Sequence, residues 1–235
     1  MLIIQIALNL LTLVFNFPMS NQDLPTASSV IQRCENAYTN AEKYLDSGKV
    51  VTSFNDGKMQ PNSTAIFFKT AYSKSGLFNY EFYKLGLSNS LYIINRGNDN
   101  ITKTWWGINN KIKTNNSLEE ALLNAQGVST LSSTLIPKML LTRSPAIGLN
   151  FFKITNNHVL LKAEDVEGTM CYKIIASYNN GNTTIFIDKI NYLIRKVVID
   201  QVIKNISFHT EYFFRPYIST SEDVFQFRPY RTIKL

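Results

Sequence analysis

Bulky apolar and polar side chains alternate at period two through two neighbouring segments of the chain. In residues 64–72, Phe68, Thr70 and Tyr72 alternate with Phe67, Lys69 and Ala71; in residues 77–84, Phe78, Tyr80 and Phe82 alternate with Asn79, Glu81 and Tyr83. Successive side chains of a strand point to opposite faces of its sheet, so this period predicts two adjacent strands presenting one aromatic face. Ser75-Gly76 between them supplies turn chemistry. Trp105-Trp106 puts two large rings on opposite faces of a further strand, so at most one joins the aromatic face, and Trp105 is assigned to it.

The same punctuation continues along the chain. Strand-like runs at 49–54, 64–72, 77–84, 91–95 and 101–106 form an antiparallel meander broken by turns such as Gly97-Asn98-Asp99. After residue 159, runs 169–177 and 183–188 flank Asn179-Asn180-Gly181-Asn182, and 192–203 and 206–214 form a hairpin through Lys204-Asn205. The sum is roughly ten strands, a number that curls into a barrel or half-barrel. The fold class is mainly β with helices (α+β). One helix precedes the strands: Val30, Ile31, Cys34, Ala37, Tyr38, Ala41 and Tyr44 recur at three-and-four spacing, Ser29 and Gln32 form a capping box, and Gly48 ends it. Mid-chain, Ser117-Leu118-Glu119-Glu120 is a second capping box whose helix stops at Gly127. A short helix follows at 133–141, with Pro137 in its first turn and Pro145 past its end. Leu131, Leu135, Ile136, Met139, Leu140 and Leu141 make this segment apolar on more than one face.

The first twenty residues stand apart. Residues 2–17 read LIIQIALNLLTLVFNF without a charge, and the first charged residue is Asp23. That run is short for a membrane span and right for a signal-peptide core, although no Lys or Arg precedes it. The expected organisation is a leader over 1–20 and one domain over 21–235, periplasmic or secreted, with an uncleaved N-terminal anchor as the alternative.

Little in the chain carries chemistry. The net charge is +7 and the pI about 9.3, but the basic residues are scattered, so no nucleic-acid partner is expected. Nucleophile-elbow, phosphate-loop, dinucleotide and zinc-peptidase motifs are absent from the sequence. His158 and His209 have no Cys, His or carboxylate at ligand spacing, so no metal site is expected, and no cofactor. Glu164, Asp165 and Glu167 read as a solvated turn, and Cys34 and Cys171 as separate small core residues. Asp188, Glu81 and His209 are the acid–base candidates for an enzyme built on a barrel, and none is paired in sequence. A non-catalytic monomer is the expectation. The aromatic face itself has two readings: an ordinary core packed by the first helix, or a concave sheet that holds an acyl chain under a helical cover. Each buried methylene is worth about 0.8 kcal/mol, so such a site needs no specific polar contact.

Several short strings, in order, resemble the LolA-like family of bacterial envelope proteins, which includes outer-membrane lipoprotein carriers. They are Phe68-Lys69-Thr70-Ala71-Tyr72, Phe78-Asn79-Tyr80-Glu81-Phe82, Trp105-Trp106, Ser117-Leu118-Glu119-Glu120-Ala121-Leu122, Ile136-Pro137-Lys138-Met139-Leu140-Leu141, Phe186-Ile187-Asp188 and Tyr192-Leu193-Ile194-Arg195. The resemblance implies an unclosed antiparallel half-barrel whose apolar face is covered by helices and shields acyl chains from water. On this chain it implies a lid over 117–141 and a sheet lining of Phe68, Tyr72, Phe78, Tyr80, Phe82 and Phe186, with Trp105 beside them. The implied partner is a lipid, an acyl chain or a lipoprotein, or a membrane-associated protein. The family's lid-latching arginine has no match in these strings. The alternative is a structural or sensing envelope domain, its barrel filled by its own helices, acting through protein contacts.

Overall fold

A computed structural model describes residues 25–55, 62–84, 91–141, 158–178 and 180–229. The expected leader over 1–20, Pro145 and Asn179 lie outside the described residues. Eleven strands form a single antiparallel sheet: β1 (Lys43–Asn55), β2 (Asn62–Ser73), β3 (Phe78–Lys84), β4 (Tyr92–Arg96), β5 (Thr102–Trp106), β6 (Lys111–Asn115), β7 (His158–Val166), β8 (Thr169–Tyr178), β9 (Gly181–Asp188), β10 (Ile194–Ile203) and β11 (Ile206–Pro216). Their spatial order is β6-β5-β4-β3-β2-β1-β11-β10-β9-β8-β7, two meanders joined where β1 pairs with β11. Strands β6 and β7 are the two edges and do not pair, so the sheet is an open half-barrel. Three helices cover one face, called inner below: α1 (Ala27–Thr39), α2 (Leu118–Ala125) and α3 (Leu135–Leu141). Among the described residues no helix is long and apolar enough to cross a membrane.

The first helix is shorter than its periodicity predicts. Asn40 caps it, with its backbone N–H donating to the carbonyls of Asn36 and Tyr38, and β1 starts at Lys43. Tyr44 fits the helical spacing only because, as a strand residue, it faces the same core as Tyr38; the two rings meet edge-on at 5.4 Å. The N-cap is Thr26, whose hydroxyl accepts from the Ser29 amide at 3.1 Å, so Ser29 sits in the first turn. Gly48, expected to end the helix, lies inside β1. A Cβ there would come within 2.3 Å of both the Phe68 ring and the Phe213 carbonyl oxygen, so the ring of Phe68 occupies the space a side chain would take. Strand β6 escapes the sequence reading because Lys111, Lys113 and Thr114 give it no apolar face. The second capping box forms half as expected: Ser117 Oγ accepts from the Glu120 amide at 3.0 Å, while Glu120 reaches the Asn116 amide.

Candidate binding site

Register fixes which side chains share the inner face. Trp106, Tyr92, Phe82, Phe68, Gly48 and Phe214 are direct neighbours across β5, β4, β3, β2, β1 and β11. Tyr212, Val197, Ile185 and Ile174 carry the same surface on to β8. Rings pack edge to face or offset along this row: Phe68 with Phe214 at 5.6 Å, Phe82 with Tyr92 at 5.9 Å, Tyr92 with Trp106 at 6.1 Å. Of the expected lining residues, Phe68, Phe78, Tyr80 and Phe82 are buried here and Tyr72 is half-buried beside them.

Two expected lining residues are on the other side of the sheet. Phe186 points outward into a separate cluster with Val166, Cys171 and Val198, while its neighbours Ile185 and Ile187 face inward. In a run where three successive residues are apolar, period two cannot choose the face. Trp105 also faces outward, opposite Ile93, and donates its indole N–H to Asn110 Oδ1 at 3.1 Å; its neighbour Trp106 is the inner ring. The acid–base candidates do not converge either. Asp188 is held by Arg195 at 2.6 Å, Glu81 lies opposite Lys69, and His209 pairs with Asp200, all on the outer face.

The inner face is closed by the protein's own helices. Val30, Ile31, Cys34 and Tyr38 of α1, Leu118, Ala121, Leu122 and Ala125 of α2, and Leu135, Ile136, Met139 and Leu140 of α3 share one core with the sheet. Leu131 and Leu141 pack against that core half-buried. Of the residues expected in the lid, Leu135, Ile136, Met139, Leu140 and Leu141 lie on α3 and Leu131 in the turn before it, all packed against this core. Two cavities lie elsewhere: about 160 Å³ on the outer face beside Lys69 and Tyr217, and about 490 Å³ at the hairpin ends beside Phe54 and Phe208.

Between α2 and α3 runs a feature the sequence reading passes over. Ser129, Ser132 and Ser133 are buried, and their hydroxyls form a relay. Ser129 Oγ donates to Ser133 Oγ at 2.8 Å, and Ser133 Oγ donates to the Leu122 carbonyl at 3.1 Å. Ser132 Oγ donates to the Ser129 carbonyl at 2.7 Å. That commits its proton, so Tyr80 is the donor in the 2.6 Å contact between Tyr80 Oη and Ser132 Oγ. Burial pushes the Tyr80 phenol well up, and the Ser132 and Ser129 hydroxyls pull it back only in part, so it stays a neutral donor. Thr130 and Leu131 beside it adopt φ of 50° and 67°, a left-handed conformation that costs a non-glycine residue about 1 kcal/mol each. The connector is thus a strained turn tied to the centre of the sheet through the Tyr80 hydroxyl. A serine every third or fourth residue between two apolar helices was the available signal.

Asp46 is the second feature missed. It is fully buried on the inner face, accepting from Tyr44 Oη at 2.9 Å and from the Thr70 amide at 3.1 Å. Burial raises its carboxyl to about 7, and the Thr70 and Tyr44 donors only partly offset this. Among the described residues no cluster of His, Cys, Asp and Glu could hold a metal ion, and Cys34 and Cys171 are free, buried thiols in separate clusters.

No family model and no curated protein sequence matches the chain. Solved structures to which it is similar include LolA-superfamily and lipoprotein-sorting proteins. MucB shares 12% identity over 88% of this chain at a TM-score of 0.49, and the chain spans 64% of the MucB chain. A putative outer membrane lipoprotein-sorting protein domain from Vibrio parahaemolyticus shares 8% identity over 83% of this chain and 94% of its own, at 0.34. The LolA superfamily protein NE2245 from Nitrosomonas europaea shares 8% over 86% and 98%, at 0.32.

Proposed function

We propose that the chain is a non-catalytic envelope protein that takes an acyl chain, lipid or lipidated protein onto the inner face of its half-barrel when the 117–141 lid swings away. The observation that carries this is the Tyr80–Ser132 contact: one hydrogen bond at a strained connector ties two apolar helices to an aromatic sheet face. Opening exposes the lining, and an acyl chain replaces the lid's apolar contacts at about 0.8 kcal/mol per methylene. The exchange is nearly even, which suits a carrier that must also release its cargo. The leader over 1–20 delivers the domain to the periplasm or the exterior, where such a ligand comes from a membrane or a lipoprotein.

The test uses protein purified without detergent, first by mass spectrometry of its organic extract and then by titration with monoolein, a neutral single-chain lipid. The expected result is one bound chain per protein. Tyr80→Phe, which removes the latch hydrogen bond and keeps the ring, binds about fivefold tighter because opening costs about 1 kcal/mol less. Folded protein that extracts empty and takes up no monoolein, wild type or variant, overturns the reading in favour of a barrel filled by its own helices and acting through protein contacts.

A further inference from the structure

The inner face is not uniformly apolar. Asp46 on β1, Thr70 on β2 and Tyr80 on β3 are direct cross-strand neighbours, so a polar row crosses the middle of the sheet and ends under Ser132 of the lid connector. The other buried acid among the described residues, Asp188, faces outward and is held by Arg195. Every group acting on Asp46 is neutral: the Tyr44 hydroxyl, the Thr70 amide and hydroxyl, and the phenols of Tyr38 on α1, Tyr80 on β3 and Tyr217 after β11. A carboxylate offers about four acceptor sites, and the two donors within hydrogen-bond length leave about two unused. Thr70 Oγ1, buried beside it, has no hydrogen-bond partner of normal length. A buried acid without a counter-charge is costly to keep.

We infer that Asp46 is the head-group site of the groove, and that its ligand is an amphiphile with a primary ammonium head, a long-chain amine rather than a fatty-acid anion. This rests on the lipid-binding reading above and gives it a ligand class. An ammonium carries three donors, two of which match the open acceptor positions of Asp46, with the Thr70 hydroxyl as a third polar neighbour. From Asp46 the inner positions of β1 and β2 turn apolar: Gly48 and Val50 on one strand, Phe68 and Ile66 on the other. A chain lying along them runs about 13 Å over Phe68 and Phe82. Opening the lid wets Asp46 and favours its carboxylate, which the ammonium then pairs; a fatty-acid carboxylate in the same place meets a like charge.

The full-length protein is titrated at about pH 8 with stearylamine and stearate, each below its aggregation concentration, and with monoolein as the neutral report on the groove. Wild type is expected to bind stearylamine at least about tenfold tighter than stearate. Asp46→Asn brings the two within about twofold of each other, and Thr70→Val weakens stearylamine about threefold while leaving stearate as it was. Equal binding of amine and acid by wild type, or a preference that survives in folded Asp46→Asn, overturns the head-group assignment while monoolein binding keeps the groove. Failure of all three lipids to bind folded wild type overturns both.

Discussion

The two faces of the sheet carry similar aromatic rows and cover them in opposite ways. Inside, Tyr92, Phe82, Phe68 and Phe214 lie under three helices, and Trp106 continues the row into solvent. Outside, Tyr83, Phe67, Lys49, Phe213, Lys196, Phe186 and Lys173 are neighbours in register across seven strands, and lysine stems take the helices' place. Lys49 sits 4.4 Å from the Phe213 ring centre, Lys196 4.8 Å from it, and Lys173 5.5 Å from that of Phe186. The outer lysines are neutralised in turn, Lys173 by Glu164 and Lys196 by Glu211. Aromatic alternation therefore marks a strand but not its inner side. What separates the faces is whether the cover is a whole element, which can leave as a unit, or single side chains rooted in the sheet itself.

The largest expected contrast comes from neighbouring β1 positions. Gly48→Val drives a branched side chain into the Phe68 ring and the Phe213 carbonyl, and is expected to cost about 4 kcal/mol or more in chemical denaturation. Ser47→Val, one residue before it and facing outward, is expected within about 0.5 kcal/mol of wild type. Equal costs would mean the inner face is not close-packed.

Charge separates the faces next. Asp46 has a carboxyl raised to about 7 in the folded protein and near 4 when unfolded, so folding takes up a proton between those values. Its contribution to stability is complete below about pH 4 and is lost as pH rises to about 7, by up to about 4 kcal/mol. Asp46→Asn lacks this slope, so the difference between the two stability curves widens across that window. Parallel curves would show that the inner carboxyl is solvated. On the outside Asp188 runs the other way: the Ile190 amide and Arg195 hold it below the usual carboxylate range despite some burial, so its contribution is lost only in acid.

How much of this the sequence discloses differs by face for the same reason. Period two in Phe68, Thr70 and Tyr72 and in Phe78, Tyr80 and Phe82 put five rings on the helix-covered face, because each has a polar or smaller neighbour to break the tie. Trp105 and Phe186 were misplaced where both neighbours or one twin are equally apolar, and there only cross-strand register decides. The two covering helices were legible from Ser117 and from the apolar run after Leu131. Asp46 was not: the helical spacing through Tyr44 put it at the end of the first helix before Gly48, and only the strand register brings Thr70 and Tyr44 against it. The Tyr80–Ser132 latch was equally hidden, since 52 residues separate its partners.

Truncation sharpens the same contrast. Phe68→Ala, in a core with no room to relax, is expected to cost about 4 kcal/mol, and Phe186→Ala about 2 kcal/mol, since the Lys173 and Lys196 stems can settle into the gap. The smallest effect is at the latch. Tyr80→Phe is expected to cost about 1 kcal/mol in global stability and to leave the sheet intact by circular dichroism.

The separability of the inner cover is measured most directly by native-state hydrogen exchange along the chain. Amides of α2, α3 and the connector between them are expected to exchange at least about a hundredfold faster than those of β1, β2, β10 and β11, through an opening that leaves the sheet protected. Tyr80→Phe should widen that gap. Lid amides that exchange only at the rate of global unfolding would show that the helices are a permanent filling of the half-barrel and not its cover.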